Sequence, residues 1–222
     1  MNPPDLKTVA MTPRLHDYLL SHVEPPDPVQ RQLISITATL GDAAEMQVPH
    51  EQAAFLTLLT RLIRAQRIVE VGTFTGYSTL ALALGMPPAG RLITCDLSAE
   101  WARIAQDAWR DAGVADRIEL RLGPAAETLR GLPETANIDL VFLDADKVGY
   151  IDYWEQLVPR LRPGGVLLAD NVFYYGEAAD DEPVGNAAAI DAFNRHVRAD
   201  DRVDSVMLPI ADGLTLARKH DS

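Results

Sequence analysis

Five residues in two short stretches have the types and spacing to do chemistry. They are Asp144, Asp146 and Lys147 in "VFLDADKVGY", and Asp170 and Asn171 in "GGVLLADNV". Each stretch ends an apolar, β-branched run, so each polar set stands where a strand leaves a core. Asp144, Asp170 and Asn171 can converge if those two strands are neighbours. Two carboxylates and an amide then form an oxygen set suited to a hard divalent cation, which seeks six oxygens. Without a cation, two adjacent carboxylates repel and one resists ionising. Three protein oxygens leave three positions open, and two adjacent hydroxyls of a catechol could fill two of them. Lys147 is placed to serve as a base. A lysine ordinarily holds its proton to about pH 10.4, but burial and a nearby divalent cation both disfavour the ammonium. The same cation acidifies a bound phenol. The chemistry is proton removal from a phenol, giving a phenolate that needs only alignment with an electrophile.

The carrier of that electrophile is read from three earlier strand ends. In "VEVGTFTGYSTLALAL", Gly72 and Gly76 allow a tight turn and close backbone approach before a helix that starts near Tyr77 or Ser78. The pattern is E-x-G-x-x-x-G, not the G-x-G-x-x-G of a dinucleotide site. Glu70 would disfavour a pyrophosphate and favour a ligand with an amino group. Asp96 ends the second strand and is placed to accept hydrogen bonds from ribose hydroxyls. Ser98 competes with it for the helix cap that follows, which leaves Asp96 for a ligand. The small residues of "RLGPAAE" could lie against a flat adenine. A nucleoside with an amino-acid tail fits all three ends, which means S-adenosylmethionine rather than NAD.

These residues need a frame. Up to about residue 67 the periodicity is helical. "DPVQRQLISITATL" opens with Asp27 as N-cap and Pro28 in the first turn, and prolines 25, 26 and 28 separate it from "LHDYLLSHV". "PHEQAAFLTLLTRLIRA" places Phe55, Leu56, Leu59, Leu62 and Ile63 on one face. After residue 67, "RIVEVG", "RLITCD", "RIELRLG", "IDLVFLD" and "GGVLLAD" alternate with helical stretches, the pattern of right-handed βαβ units in a parallel sheet covered on both faces. "RVDSVMLPI" and "LTLARK", joined by "ADG", read as an antiparallel addition to one edge. The expected fold is a single α/β domain over 1–222, with a helical extension (1–67) and a doubly wound core (68–222). Ligands in such sheets bind beyond the carboxyl ends of the strands, where strand order reverses.

Composition narrows the partners. The 222 residues carry 32 acids against 20 bases, a net charge of −12, which argues against nucleic acid and suits small neutral or cationic ligands. No apolar run approaches a membrane span, and the start lacks the features of a secretory signal. The one cysteine, Cys95, excludes an internal disulfide, fits a reducing cytoplasm and reads as a core residue. His16, His22, His50, His196 and His220 share no metal-ligand spacing. Trp101 and Trp109, eight apart in one helical pattern, are expected in the core, and "EAADDEP" (177–183) as a solvated loop.

In order along the chain, "EMQVPHEQAAFLTLLTRLI", "VEVGTFTGYSTLALAL", "GVADRIELRLGPA", "FLDADK", "RPGGVLLADNV" and "MLPIADGLTLARK" resemble the cation-dependent O-methyltransferases of the catechol and caffeoyl-CoA type, the small bacterial members above all. The resemblance implies a Rossmann-like class I methyltransferase sheet of seven strands. It implies S-adenosylmethionine contacts at Met46, Val48, Glu70, Gly72, Thr73, Ser78, Asp96, Leu97 and Ala125, with Asp144 and Asp146 near the methionine or metal end. It carries the ligands of Mg²⁺, or of Mn²⁺ or Ca²⁺, to Asp144, Asp170 and Asn171, the general base to Lys147, and substrate contacts to Lys147, Asn171 and Tyr174. The acceptor it implies is a small catechol-type phenol; the alternatives are a hydroxylated uridine in tRNA and a caffeoyl-CoA-like thioester. A homodimer is the family habit. Three positions set this chain apart within the family. Tyr174 stands where a tryptophan is common, and Val48 where plant enzymes often have a threonine. Asp146 matches the caffeoyl-CoA and bacterial branch rather than the vertebrate catechol enzymes.

Overall fold

Seven strands form one mixed sheet in the computed structural model, which describes residues 9–221. The first eight residues and Ser222, included in the 1–222 reading, lie outside the described residues. The helices are α1 (Pro13–Leu20), α2 (Pro28–Thr37), α3 (His50–Leu62), α4 (Tyr77–Gly85), α5 (Ala99–Asp111), α6 (Ala125–Arg130), α7 (Tyr150–Leu157) and α8 (Gly185–Ala199). The strands are β1 (Arg67–Val71), β2 (Arg91–Asp96), β3 (Ile118–Leu122), β4 (Ile138–Leu143), β5 (Leu161–Asp170), β6 (Val203–Leu208) and β7 (Leu214–Lys219). Their order is β3-β2-β1-β4-β5-β7-β6. The first five are parallel, while β7 runs antiparallel to both β5 and β6, as the turn-linked pair predicts. Strand order reverses between β1 and β4, so the crevice opens where Gly72 and Asp144 leave the sheet.

Side chains of period two send alternate strand residues to opposite faces. Ile68, Leu92, Leu140 and Phe142 pack under α2 to α5, with Leu33, Leu56, Leu80 and Trp109. Val69, Val71, Val141 and Leu143 pack on the other face with Leu129, Trp154 and Phe193 from α6, α7 and α8. Asp27 caps α2 in a reciprocal pair with Gln30, and Pro28 fills the first turn. That helix ends earlier than its sequence pattern, at Thr37. Gly41 at φ +63° breaks the 3₁₀ segment that follows, and the chain is led over the crevice. Thr37 Oγ1 donates to Thr75 Oγ1 at 2.9 Å, tying α2 to the glycine loop. Among the described residues no helix is long and apolar enough to cross a membrane.

Candidate active site

A cavity of about 950 Å³ opens at the carboxyl ends of β1 to β5. Its floor depends on two glycines. A Cβ on Gly72 (φ +97°) would lie 1.8 Å from the Asp144 carbonyl oxygen, so only glycine lets β1 pass the end of β4. A Cβ on Gly76 (φ +82°) would meet Ala105 at 2.6 Å and Trp109 Nε1 at 2.8 Å. The E-x-G-x-x-x-G spacing thus answers two packing contacts, one on each side of the loop.

Asp96 does more than wait for a ligand. Its Oδ2 accepts from the backbone N–H of Thr73 (3.0 Å) and Phe74 (2.7 Å), and its Oδ1 from Ser98 N (2.8 Å). The carboxylate stiffens the glycine loop and keeps lone pairs for a further donor, since each carboxylate offers about four. Ser98 caps α5 by accepting from Trp101 N, as expected. Glu70 is not in the cavity wall. It is fully buried beneath it, its Oε2 accepting from Thr94 Oγ1 at 2.8 Å and from Thr79 Oγ1, its Oε1 without a partner. Burial pushes its carboxyl up to about 7, against the pull of the nearby Thr79, Ser78 and Thr94 hydroxyls. The other residues expected around a cofactor, Met46, Val48, Gly72, Thr73, Ser78, Asp96, Leu97, Ala125, Asp144 and Asp146, do line the cavity. Gly123, Pro124 and Ala126 join them as the small-residue wall. Asp146 is also tied to the protein, accepting from Tyr153 OH (2.7 Å) and Gly149 N (3.1 Å).

At the other end, β4 and β5 lie side by side and bring Asp144, Asp170 and Asn171 together with Lys147. Lys147 Nζ donates to Asn171 Oδ1 at 2.7 Å, Tyr150 OH at 2.7 Å and Asp144 Oδ1 at 3.2 Å. Asp170, 2% exposed, accepts from Gln52 Nε2 (2.7 Å) and Asn171 N (2.8 Å). Burial and the neighbouring Asp144 charge raise its carboxyl well above the usual carboxylate range. Among the described residues no three His, Cys, Asp or Glu side chains gather as a metal-binding group, so the convergent oxygens are those of two acids and one amide. A single ammonium already bridges Asp144 and Asn171, which places their oxygens around one positive charge. Tyr174 lines the same end, its OH accepting from Asn186 Nδ2 at 3.0 Å. The loop carrying these groups is strained: Asn171, Tyr174 and Tyr175 have φ of +54°, +48° and +57°. Such left-handed backbone costs about 1–2 kcal/mol at a residue with a Cβ, and here it is held by bonds from Tyr175 N to Asp212 Oδ1 (2.7 Å) and Phe173 N to Asp212 O (3.0 Å).

Some lining residues were not singled out by sequence. Trp101 is a correction: it lies in the cavity wall, edge-on to Phe74 at 4.9 Å, while Trp109 is buried as expected. Eight residues of helix turn about 800°, leaving the two side chains roughly 80° apart. That angle spans core and cavity. Gln52 is the other omission. It shares the face of α3 that buries Leu56 and Thr60, and a buried amide on an apolar face was a readable signal. Cys95 is buried at the edge of the cavity, its thiol pushed up to about 12 by desolvation. The histidines stay apart: His16 meets Glu51, His196 meets Glu155, and His50 meets Tyr77 OH.

Comparison with known proteins agrees with this layout. A sequence model of the family described as O-methyltransferase matches residues 21–220. A Dictyostelium discoideum protein named probable caffeoyl-CoA O-methyltransferase 1 is 39% identical, over 91% of this chain and 90% of its own. The mouse catechol O-methyltransferase domain-containing protein 1 is also 39% identical, over 92% of this chain and 79% of its own. The SAH-bound methyltransferase PaMTH1 of Podospora anserina superposes with a TM-score of 0.86 at 28% identity, covering 94% of both chains.

Proposed function

The chain belongs to the O-methyltransferase family, and we propose that it methylates a hydroxyl of a small catechol-type phenol with the help of a divalent cation. It is an S-adenosylmethionine-dependent enzyme of the caffeoyl-CoA and catechol type. The observation that carries the finer reading is the meeting of Lys147 with Asp144, Asp170 and Asn171 at one end of a cavity whose other end has the Asp96-braced glycine loop.

The donor set fits a cation. Asp144 Oδ1 and Asn171 Oδ1 meet at one ammonium, Asp170 lies buried beside Asp144, and that lysine is the only positive charge among the described residues lining the cavity. Asp144, Asp170 and Asn171 would hold Mg²⁺, or Mn²⁺ or Ca²⁺ in its place, and such an ion would acidify an acceptor hydroxyl.

The protein's own groups do the rest. Asp96, the glycine loop and the small-residue wall would fix the nucleoside, leaving the sulfonium methyl directed toward the Lys147 end. Lys147 would take the phenolic proton once its ammonium has given a proton to solvent and released Asp144 and Asn171, while Tyr150 OH keeps the amine in reach. The phenolate oxygen bonds to the methyl carbon as the sulfur–carbon bond breaks, giving a methyl ether and S-adenosylhomocysteine. Tyr174 would lie against the acceptor ring.

Charge favours the small phenol over its rivals. Asp42, Glu45, Asp146 and Asp212 also line the cavity, an acidic wall that repels the phosphates of tRNA or a CoA tail. The names of the relatives favour the CoA thioester as the second reading. The single domain over 1–222, a homodimer and a cytoplasmic setting belong to the same proposal, with light scattering as the test of the dimer. The deciding experiment incubates the protein with S-adenosylmethionine and caffeic acid, dopamine, caffeoyl-CoA or tRNA, with Mg²⁺ or with EDTA, and weighs the products. A gain of one methyl on a catechol that EDTA abolishes is the expected result. Transfer that survives EDTA removes the cation, and transfer to caffeoyl-CoA or tRNA alone removes the small phenol.

A further inference from the structure

Asp170 is held from an unexpected direction. Gln52 sits on α3, in the helical extension that precedes the core, 118 residues away in sequence. It is fully buried and reaches the cavity, where Nε2 donates to Asp170 Oδ2 at 2.7 Å. Asn171 N holds the other oxygen, Oδ1, at 2.8 Å. With both oxygens gripped, the carboxylate cannot rotate without breaking a bond. Its remaining lone pairs therefore keep one direction.

The rest of the Gln52 side chain is unusual for a packing residue. Its Oε1 is buried with no partner, although Ala53 and Leu56 on the same helix are buried without any polar atom. A purely structural position would gain from an apolar side chain of this length, because an unmet buried acceptor is costly. The amide makes sense if one end orients a carboxylate and the other awaits a donor that arrives with the occupants of the site.

We propose that Gln52 is a positioning residue for the cation-binding carboxylate, through which the N-terminal extension sets cation affinity. This rests on the cation reading above. Groups that orient a metal ligand usually matter by roughly 10- to 100-fold in metal affinity, and Gln52 is the side chain that orients Asp170.

The test is Mn²⁺ binding, followed by electron paramagnetic resonance of the free ion, in protein saturated with S-adenosylhomocysteine. Gln52→Met keeps the length and removes the donor. It should weaken Mn²⁺ binding by roughly 10- to 100-fold, while S-adenosylhomocysteine affinity in metal-free buffer and the melting temperature stay near those of the parent. Equal Mn²⁺ affinity overturns the proposal. So does a parallel fall in Mn²⁺ affinity, S-adenosylhomocysteine affinity and melting temperature, which would make Gln52 a packing residue. A double-mutant cycle with Asp170→Asn adds a second check, since Gln52→Met should cost little more once the carboxylate is gone. Parent protein that binds no Mn²⁺ would instead remove the cation reading itself.

Discussion

The two ends of the cavity are built on different principles. At the ends of β1 to β3, polar groups are largely satisfied by the protein: Asp96 takes three backbone N–H groups, and Ser98 caps its helix. At the ends of β4 and β5, charges confront each other. Asp170 is buried beside Asp144, one lysine serves both Asp144 and Asn171, and Gln52 Oε1 and Asp212 Oδ2 lack partners. Left-handed backbone at residues with a Cβ occurs at both ends, at Phe74 in the glycine loop and more densely at the second end, where Asn171, Tyr174 and Tyr175 share it. Under the proposed function, the end that would take the nucleoside is prepared in advance, whereas the end that would take the acceptor is completed by what binds there.

The largest effect should come from Lys147→Ala. Loss of a general base usually costs about 10²- to 10⁴-fold, and single-turnover methyl transfer should fall by that amount. S-adenosylhomocysteine affinity, measured by calorimetry, should stay within about twofold if the prepared end stands alone. A variant that loses both would show that the two ends are one energetic unit.

Glu70 is the exception at the prepared end, and it offers the next largest effect. Its carboxyl is raised from 4.5 to about 7 by burial, so the folded protein holds a proton there that the unfolded chain has released. Between pH 4.5 and 7 the folded state binds more protons, and stability therefore falls as pH rises through that window. Full burial lets the shift count at roughly 3 kcal/mol. Glu70→Gln should flatten the loss, as read from urea melts of the ligand-free protein at pH 5 and pH 8. Asp170 and Asp212 shift in the same direction, so the difference between the two proteins isolates Glu70. Equal slopes would mean that Glu70 is ionised in the fold and paired in a way its present contacts do not provide.

The sequence spoke unevenly about these ends. The strands and the antiparallel edge follow from short apolar runs alternating with helical stretches and from the "ADG" turn, because both signals are local. Gly72 and Gly76 were legible as a turn, but their partners, the Asp144 carbonyl and Trp109, come from β4 and α5 and leave no trace in the local pattern. The sequence pattern points Glu70 at a ligand. Whether the residue before a glycine loop points into a cavity or under it depends on strand pleat, and here the pleat turns it toward Thr79 and Thr94. Asp144, Asp170, Asn171 and Lys147 were legible together because charges ending apolar strands are hard to explain by packing. Gln52 is legible only as an amide on the apolar face of its helix; its partner, Asp170, lies 118 residues away and leaves no local trace.

Asp96→Asn tests the prepared end itself. The amide keeps one acceptor oxygen but loses the charge and cannot hold Thr73, Phe74 and Ser98 N–H groups together. A cost of about 1–3 kcal/mol is expected for weakened charge-assisted bonds. It should appear as weaker S-adenosylhomocysteine binding, with Mn²⁺ affinity unchanged. If Mn²⁺ affinity falls as well, the glycine loop transmits strain through Gly72 to the end of β4, where a Cβ already has no room.

The smallest effect belongs to Tyr174, and it separates ring from hydroxyl. The hydroxyl accepts from exposed Asn186 at 3.0 Å, a bond that water can replace. Tyr174→Phe should therefore change the acceptor KM by less than about threefold, or roughly 0.6 kcal/mol, with kcat unaltered. Tyr174→Ala removes the ring and should raise the KM by about tenfold, within the range expected for a lost aromatic contact. A large effect of the phenylalanine variant would assign the hydroxyl to the acceptor instead of to Asn186. The left-handed backbone at Tyr174, +48°, would then be the strain that aims it.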